Sequence, residues 1–183
     1  IPDIITWHQL NREDLALLEG NVKEFKRACE TAGVGLRQIV INEYATAQDT
    51  GVPGRLVNWI ARLEEQKLYG CLPFWHMANN LNDLAAEVNL GNSAWWVYKW
   101  YGDMSGQTLK VNAFHTTYDG LYGLASIDDH KSKTTILFGG VNGPSTIVLD
   151  NIDKTTSFNN VEKVYVKVEA SHYNGFHGPV TAP

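Results

Sequence analysis

Apolar positions in the first hundred residues alternate between two spacings. Asp3 to His8 is a short apolar run of strand type; beyond it Leu15, Leu18, Val22, Phe25 and Cys29 fall three or four apart, as one buried helix face requires. Asn11 or Asp14 can cap that helix, and Gly33 and Gly35 end it. Arg37 to Asn42 (RQIVIN) is nearly continuous in apolar character, the pattern of a parallel strand covered on both faces, and Glu43 follows it directly. A polar loop with Gly51, Pro53 and Gly54 leads to a second helix with Leu56, Val57, Ile60 and Leu63 inward. Its Arg55, Arg62, Glu64 and Glu65 are expected to face water, and Gly70 to close it. Cys71 to Trp75 (CLPFW) reads as a third strand, followed by a long polar loop and an aromatic helix capped by Ser93. Strand, loop and helix thus recur as βα units of a parallel sheet.

After Gly106 the pattern shortens to alternating stretches at Thr108 to Thr116, Leu121 to Asp128, Thr134 to Phe138, Ser145 to Leu149 and Val161 to Glu169. Turn residues separate them, among them Tyr118-Asp119-Gly120, Asp128-Asp129 and Gly139-Gly140, so an antiparallel β-sandwich is expected. The fold class read from the pattern is α/β followed by all-β, with one domain over residues 1–106 and a second over residues 107–183. No long linker separates them, which predicts a fixed contact between the two.

Composition narrows the functional classes. A net charge of -5 with no Lys/Arg-rich block is the wrong balance for a phosphate-backbone partner, so nucleic acid is set aside. No apolar run reaches the length of a membrane span. The two cysteines, Cys29 and Cys71, show no metal-ligand spacing, and the histidines of the second half form none either, so no metal and no cofactor are expected. The opening IPDIITWHQL reads as a strand from the middle of a fold.

In βα architectures reactive groups stand at the C-terminal ends of the strands. Those ends carry His8, then Asn42-Glu43-Tyr44, then Trp75-His76 with Asn79 close behind. Such a rim suits a sugar: aromatic faces stack on the apolar face of a pyranose, amides bind hydroxyls, and a carboxylate attacks the anomeric carbon. Each residue also has a structural reading, Glu43 as a helix cap or arginine partner, His8 as a backbone-bonded histidine and Trp75 as core.

The succession DIITWHQL, IVINEYA, GCLPFWHMANN and AWWVYKWYGDMSG, followed by GLASIDDHKSKTTILFGGVNG, resembles the C-terminal part of clan A glycoside hydrolases, closest to the family 39 type of β-xylosidase. The resemblance implies the last three βα units of a TIM (β/α)8 barrel followed by an accessory β-sandwich. It puts Glu43 on the seventh strand as the nucleophile of a retaining double displacement on a β-linked glycan or glycoside. Trp75, His8, Asn42, Tyr44, His76 and Asn79 would bind the carbohydrate substrate. The Asn-Glu pair also matches the acid/base that such enzymes keep on their fourth strand; the Trp-bearing strand, helix and sandwich that follow favour the nucleophile assignment. The acid/base and the N-terminal remainder of the barrel would lie upstream of Ile1, leaving the chain inactive alone. A secreted or extracellular location follows from the substrate class. The alternatives are a non-catalytic carbohydrate-binding or scaffold protein, and an unrelated α/β domain fused to an immunoglobulin-like module.

Overall fold

The computed structural model describes residues 2–72, 84–86, 90–113, 118–130, 132–151, 162–175 and 178–180. A parallel sheet comes first, with strand order β1 (Ile4–Gln9), β2 (Gln38–Tyr44), β3 (Tyr69–Gly70), connected through helices α1 (Arg12–Thr31) and α2 (Pro53–Gln66). A short antiparallel pair, β4 (Ala85–Ala86) and β5 (Leu90–Gly91), precedes helix α3 (Ser93–Gly102). An antiparallel sheet of β6 (Gln107–Leu109), β7 (Tyr122–Ile127) and β8 (Thr134–Gly139) follows. The mixed α/β region followed by an antiparallel one agrees with the sequence pattern. None of the helices among the described residues is long and apolar enough to cross a membrane.

The helix starts show local chemistry winning over tertiary demands. Asp14 Oδ2 accepts from the backbone N–H groups of Leu10 and Asn11 at 3.0 Å each, so both candidate caps of α1 act together. Asn92, and not Ser93, caps α3, accepting from the N–H groups of Ala94 at 3.0 Å and Trp95 at 3.2 Å. Ser93 is the first helical residue, and its hydroxyl donates to the His172 carbonyl. Helix α2 stops earlier than expected, at Lys67 with φ 55°, because the chain must turn back into β3. Gly70 is therefore a strand residue. The third strand begins before Cys71, and its ladder continues through the Cys71 N–H to the Ile41 carbonyl at 2.9 Å; residues 73–75 lie outside the described residues. Cys29 and Cys71 are both free thiols.

Among the described residues one apolar cluster runs from Leu15, Leu18 and Val22 of α1 through Ile39 and Ile41 of β2 and Leu56, Trp59 and Ile60 of α2 to Leu124 and Leu137 of the antiparallel sheet. Helix α2 is its centre, packed between the two sheets, and this explains why Arg55, Arg62 and Glu64 are partly covered while only Glu65 of the four charges expected to face water is exposed. Arg62 lies over the Tyr122 ring at 4.8 Å, the Tyr122 hydroxyl donates to Glu65 at 2.7 Å, and the Tyr101 hydroxyl donates to Glu64. The helix and sheet backbones nearly touch: a Cβ on Gly54 would come within 2.7 Å of the Gly140 nitrogen. Only a hydrogen fits there.

The antiparallel part is less regular than its alternation suggests. Asp128 closes the β7–β8 turn, accepting from the backbone of Ser132 at 2.7 Å and Lys133 at 2.8 Å, which lowers its pKa, backbone bonding first. Residues 145–149 and the described residues 162–169 form no strand, although Val164, Val166 and Val168 keep the spacing of one. A strand needs a partner for its N–H and C=O groups as well as a pattern.

Candidate functional site

The C-terminal ends of β1 and β2 place His8 and Glu43 side by side. His8 Nδ1 is 3.4 Å from Glu43 Oε2, and the side chains are 47% and 40% exposed, so both are accessible from solvent. The register explains how Glu43 comes to face His8. Trp7 pairs with Ile41, but the next pair is His8 with Glu43, so Asn42 is an extra residue in β2. Strict alternation from the buried Ile39 and Ile41 would send Glu43 into the same core. The bulge shifts the phase by one: Tyr44 takes the buried side, and Glu43 shares the open side with His8. Bulges of this kind re-aim side chains beside active sites.

Tyr44, expected at the rim, lies behind it. It is 3% exposed, packs its ring 5.9 Å from Trp59, and shares a 2.5 Å hydroxyl contact with Tyr98. Burial pushes the Tyr44 hydroxyl up to about 12 from 10.0, against the lowering contribution of that hydrogen bond. Asn42 is exposed on the bulge. Trp75, His76 and Asn79 lie outside the described residues. Four acids on helix faces have partners of their own: Glu19 with Lys23 at 2.5 Å, Glu24 with Arg27 at 3.6 Å, Glu64 with Tyr101 and Glu65 with Tyr122. Among the described residues no group of three or more His, Cys, Asp or Glu side chains could hold a metal.

The backbone beyond Glu43 is tightly held. Ala45 has φ 75° and is fully buried, a conformation costly for any residue with a Cβ, and its N–H donates to the Gln9 carbonyl at 3.1 Å. Gln9, also buried, accepts from Trp7 Nε1 at 3.1 Å and donates to the Asp14 carbonyl at 2.8 Å. Asp49 and Thr50 of the same loop are buried, with Trp59 Nε1 donating to Asp49 Oδ2 at 3.4 Å. An open depression of about 620 Å³ lies between the loops after β1 and β2, lined by residues 10–13 and 46–48.

Residues from beyond the parallel sheet, which no strand-end motif pointed to, reach this rim. Tyr118 lies against two arginines, Arg55 at 4.4 Å and Arg12 at 5.1 Å from its ring centroid, while Asp119 pairs with Arg55. Asn58 Nδ2, fully buried, donates to the Gly120 carbonyl at 3.0 Å. The sequence signal was present as the Tyr118-Asp119-Gly120 turn, which reads as a hairpin turn when taken alone.

No family model matches the chain. Its sequence relatives are O-glycosyl hydrolases, and the chain is homologous to them along its whole length. More narrowly, they are arabinofuranosidases: the 3-O-alpha-D-galactosyl-alpha-L-arabinofuranosidase of Bifidobacterium longum subsp. longum is 34% identical over 193 aligned positions. The 3-O-beta-L-arabinopyranosyl-alpha-L-arabinofuranosidase of Bifidobacterium pseudocatenulatum is 31% identical over 198. Both alignments cover 100% of this chain, which spans 17% of the first curated relative and 20% of the second. The solved structure of N2152 from Neocallimastix frontalis matches with a TM-score of 0.70 at 30% identity, over 78% of this chain and 36% of that one.

Proposed function

We propose that this chain is the C-terminal portion of a retaining glycoside hydrolase with Glu43 as nucleophile. The observation that carries the reading is the accessible Glu43 carboxylate, turned by the bulge to within 3.4 Å of His8 at the C-terminal edge of a parallel sheet. Such edges are where βα enzymes keep their reactive groups. Residues 1–106 then supply the last three βα units of a (β/α)8 barrel, and residues 107–183 an accessory β-sandwich. Glu43 attacks the anomeric carbon and forms a glycosyl-enzyme ester as the glycosidic bond breaks. A second carboxyl group, about 5–5.5 Å away, protonates the leaving oxygen and then takes a proton from the water that cleaves the ester. That acid/base belongs to the N-terminal remainder of the barrel. His8 holds the Glu43 carboxylate, and Asn42 binds the sugar, a role the same reading gives to Trp75, His76 and Asn79 from the sequence.

Both relatives are named alpha-L-arabinofuranosidases with a 3-O-glycosyl group in the name, so an α-L-arabinofuranoside carrying such a substituent is the substrate this reading favours over a β-linked glycan. An extracellular location fits a glycan substrate. The test is mechanism-based labelling of the complete polypeptide with a 2-fluoro-arabinofuranosyl inactivator, followed by peptide mapping. Label on Glu43 is expected; label on another carboxylate overturns the assignment.

A further inference from the structure

Helix α2 meets the antiparallel sheet through two arginine–tyrosine stacks, and they differ in what lies beside them. At its distal end Arg62 covers Tyr122, whose hydroxyl bonds Glu65, and both acid and base belong to the same helix. At its rim end Tyr118 takes Arg55 on one side and Arg12 on another. Arg12 opens α1, just beyond the strand that ends in His8 and Gln9, whereas Arg55 opens α2, just beyond the loop that leaves Glu43. One ring therefore ties together the two βα units that carry the His8–Glu43 pair.

The same turn also reaches the loop between them. The Tyr118 hydroxyl faces the buried Asp49 carboxylate. Asp49 in turn organises the loop, its N–H donating to the Thr46 carbonyl and its carbonyl accepting from Val52, both at 2.9 Å. Asp119 pairs with Arg55, and Asn58 holds the Gly120 carbonyl, so the turn cannot slide along the helix.

We propose that the Tyr118–Gly120 turn is a positioning element for the candidate nucleophile, holding the β1–α1 and β2–α2 loops in the register that keeps Glu43 beside His8. The inference rests on the reading of Glu43 as nucleophile. Tyr118 touches neither substrate nor Glu43; it acts through the loop. The turn that leads into β7 thereby bears on the placement of the candidate nucleophile without touching the reacting atoms.

The experiment compares the rim stack with the distal one in the complete polypeptide, reading the rate of covalent labelling by the 2-fluoro-arabinofuranosyl inactivator below the melting temperature. Tyr118→Ala is expected to slow labelling about tenfold or more, since small misplacements of a reacting group have effects of this size or larger. Tyr118→Phe keeps the stacking and is expected to stay within about threefold of the unsubstituted rate. Tyr122→Ala is expected to lower the melting temperature and leave labelling within the same margin. Arg12→Gln, at an exposed helix start, tests the same bridge with little demand on folding and is expected to slow labelling in the same direction. Normal labelling in both Tyr118→Ala and Arg12→Gln overturns the proposal, as does equal slowing by Tyr118→Ala and Tyr122→Ala. Label on a residue other than Glu43 in the unsubstituted protein overturns the nucleophile reading itself, an outcome distinct from Glu43 labelling whose rate ignores Tyr118.

Discussion

The two faces of the parallel sheet are built from adjacent residues and have been given opposite tasks. On the helix side, Ile39, Ile41 and Tyr44 of β2 and Gln9 of β1 are buried against α1 and α2. On the other side, His8, Asn42 and Glu43 stand at the strand ends with their polar atoms accessible. One extra residue, Asn42, separates the two regimes, because without the shift after Ile41 the acid would be packed and the tyrosine exposed. A carboxylate in an apolar core is costly, and a tyrosine outside it contributes no packing. The bulge therefore serves stability and chemistry together.

Substitutions on the open face should alter turnover and leave stability alone, with the reverse on the packed face. Glu43→Gln is expected to give the largest effect, a loss of activity of roughly 10⁴-fold, comparable to removing a single catalytic group elsewhere. Its unfolding free energy should move by less than about 1 kcal/mol, since the His8 pair is exposed to solvent. Initial rates of the complete polypeptide on an aryl arabinofuranoside and a denaturant titration of the same sample read both quantities. Ile41→Ala lies two residues away and is fully buried; it is expected to cost about 2–5 kcal/mol by leaving a cavity. Equal effects of the two substitutions on stability would remove the distinction between the faces.

Much of this layout was readable in the chain. The period of Leu15, Leu18 and Val22 gave α1 because nothing in tertiary context opposes it, and RQIVIN gave β2 for the same reason. The bulge was not readable, because it is a backbone event fixed by pairing with β1. Its trace is a Glu at the spacing reserved for a third buried residue after Ile39 and Ile41. Arg55 and Arg62 look like solvated helix charges until Tyr118 and Tyr122, some sixty positions later, are packed over them. The stretches 145–149 and 162–169 show the opposite failure, a correct strand alternation without a ladder among the described residues. Glu43 and His8 are brought together, Tyr44 is turned inward, and Trp75, His76 and Asn79 lie outside the described residues.

The packed face should also show itself in alkaline solution. Because burial raises the Tyr44 hydroxyl from 10.0 to about 12, the folded state holds that proton more tightly than the unfolded state does. Its contribution is fully present below pH 10 and is lost as pH rises towards 12, at a slope of about 1.4 kcal/mol per pH unit and a total on the order of 2–3 kcal/mol. Tyr98, raised in the same direction by burial and by Tyr44, adds to the decline. Denaturant midpoints at pH 9 and pH 11.5 should fall apart in the native sequence and draw closer in Tyr44→Phe. That variant should also lose about 1 kcal/mol at neutral pH, because the Tyr98 hydroxyl loses its 2.5 Å partner.

The smallest effect is expected where the two faces meet. Ala45 is fully buried at φ 75°, so two opposing terms act on Ala45→Gly. Glycine relieves about 1 kcal/mol of left-handed strain, and it forfeits a buried methyl and orders a freer unfolded chain at a similar cost. The net change should stay within about 1 kcal/mol, less than an unstrained buried alanine would show. Ala45→Val keeps the φ requirement and adds branching at Cβ, so it should destabilise by more than about 2 kcal/mol. If glycine proves strongly destabilising and valine mild, the strain after Glu43 is absent and the strand end is held by packing instead of by the turn that follows it.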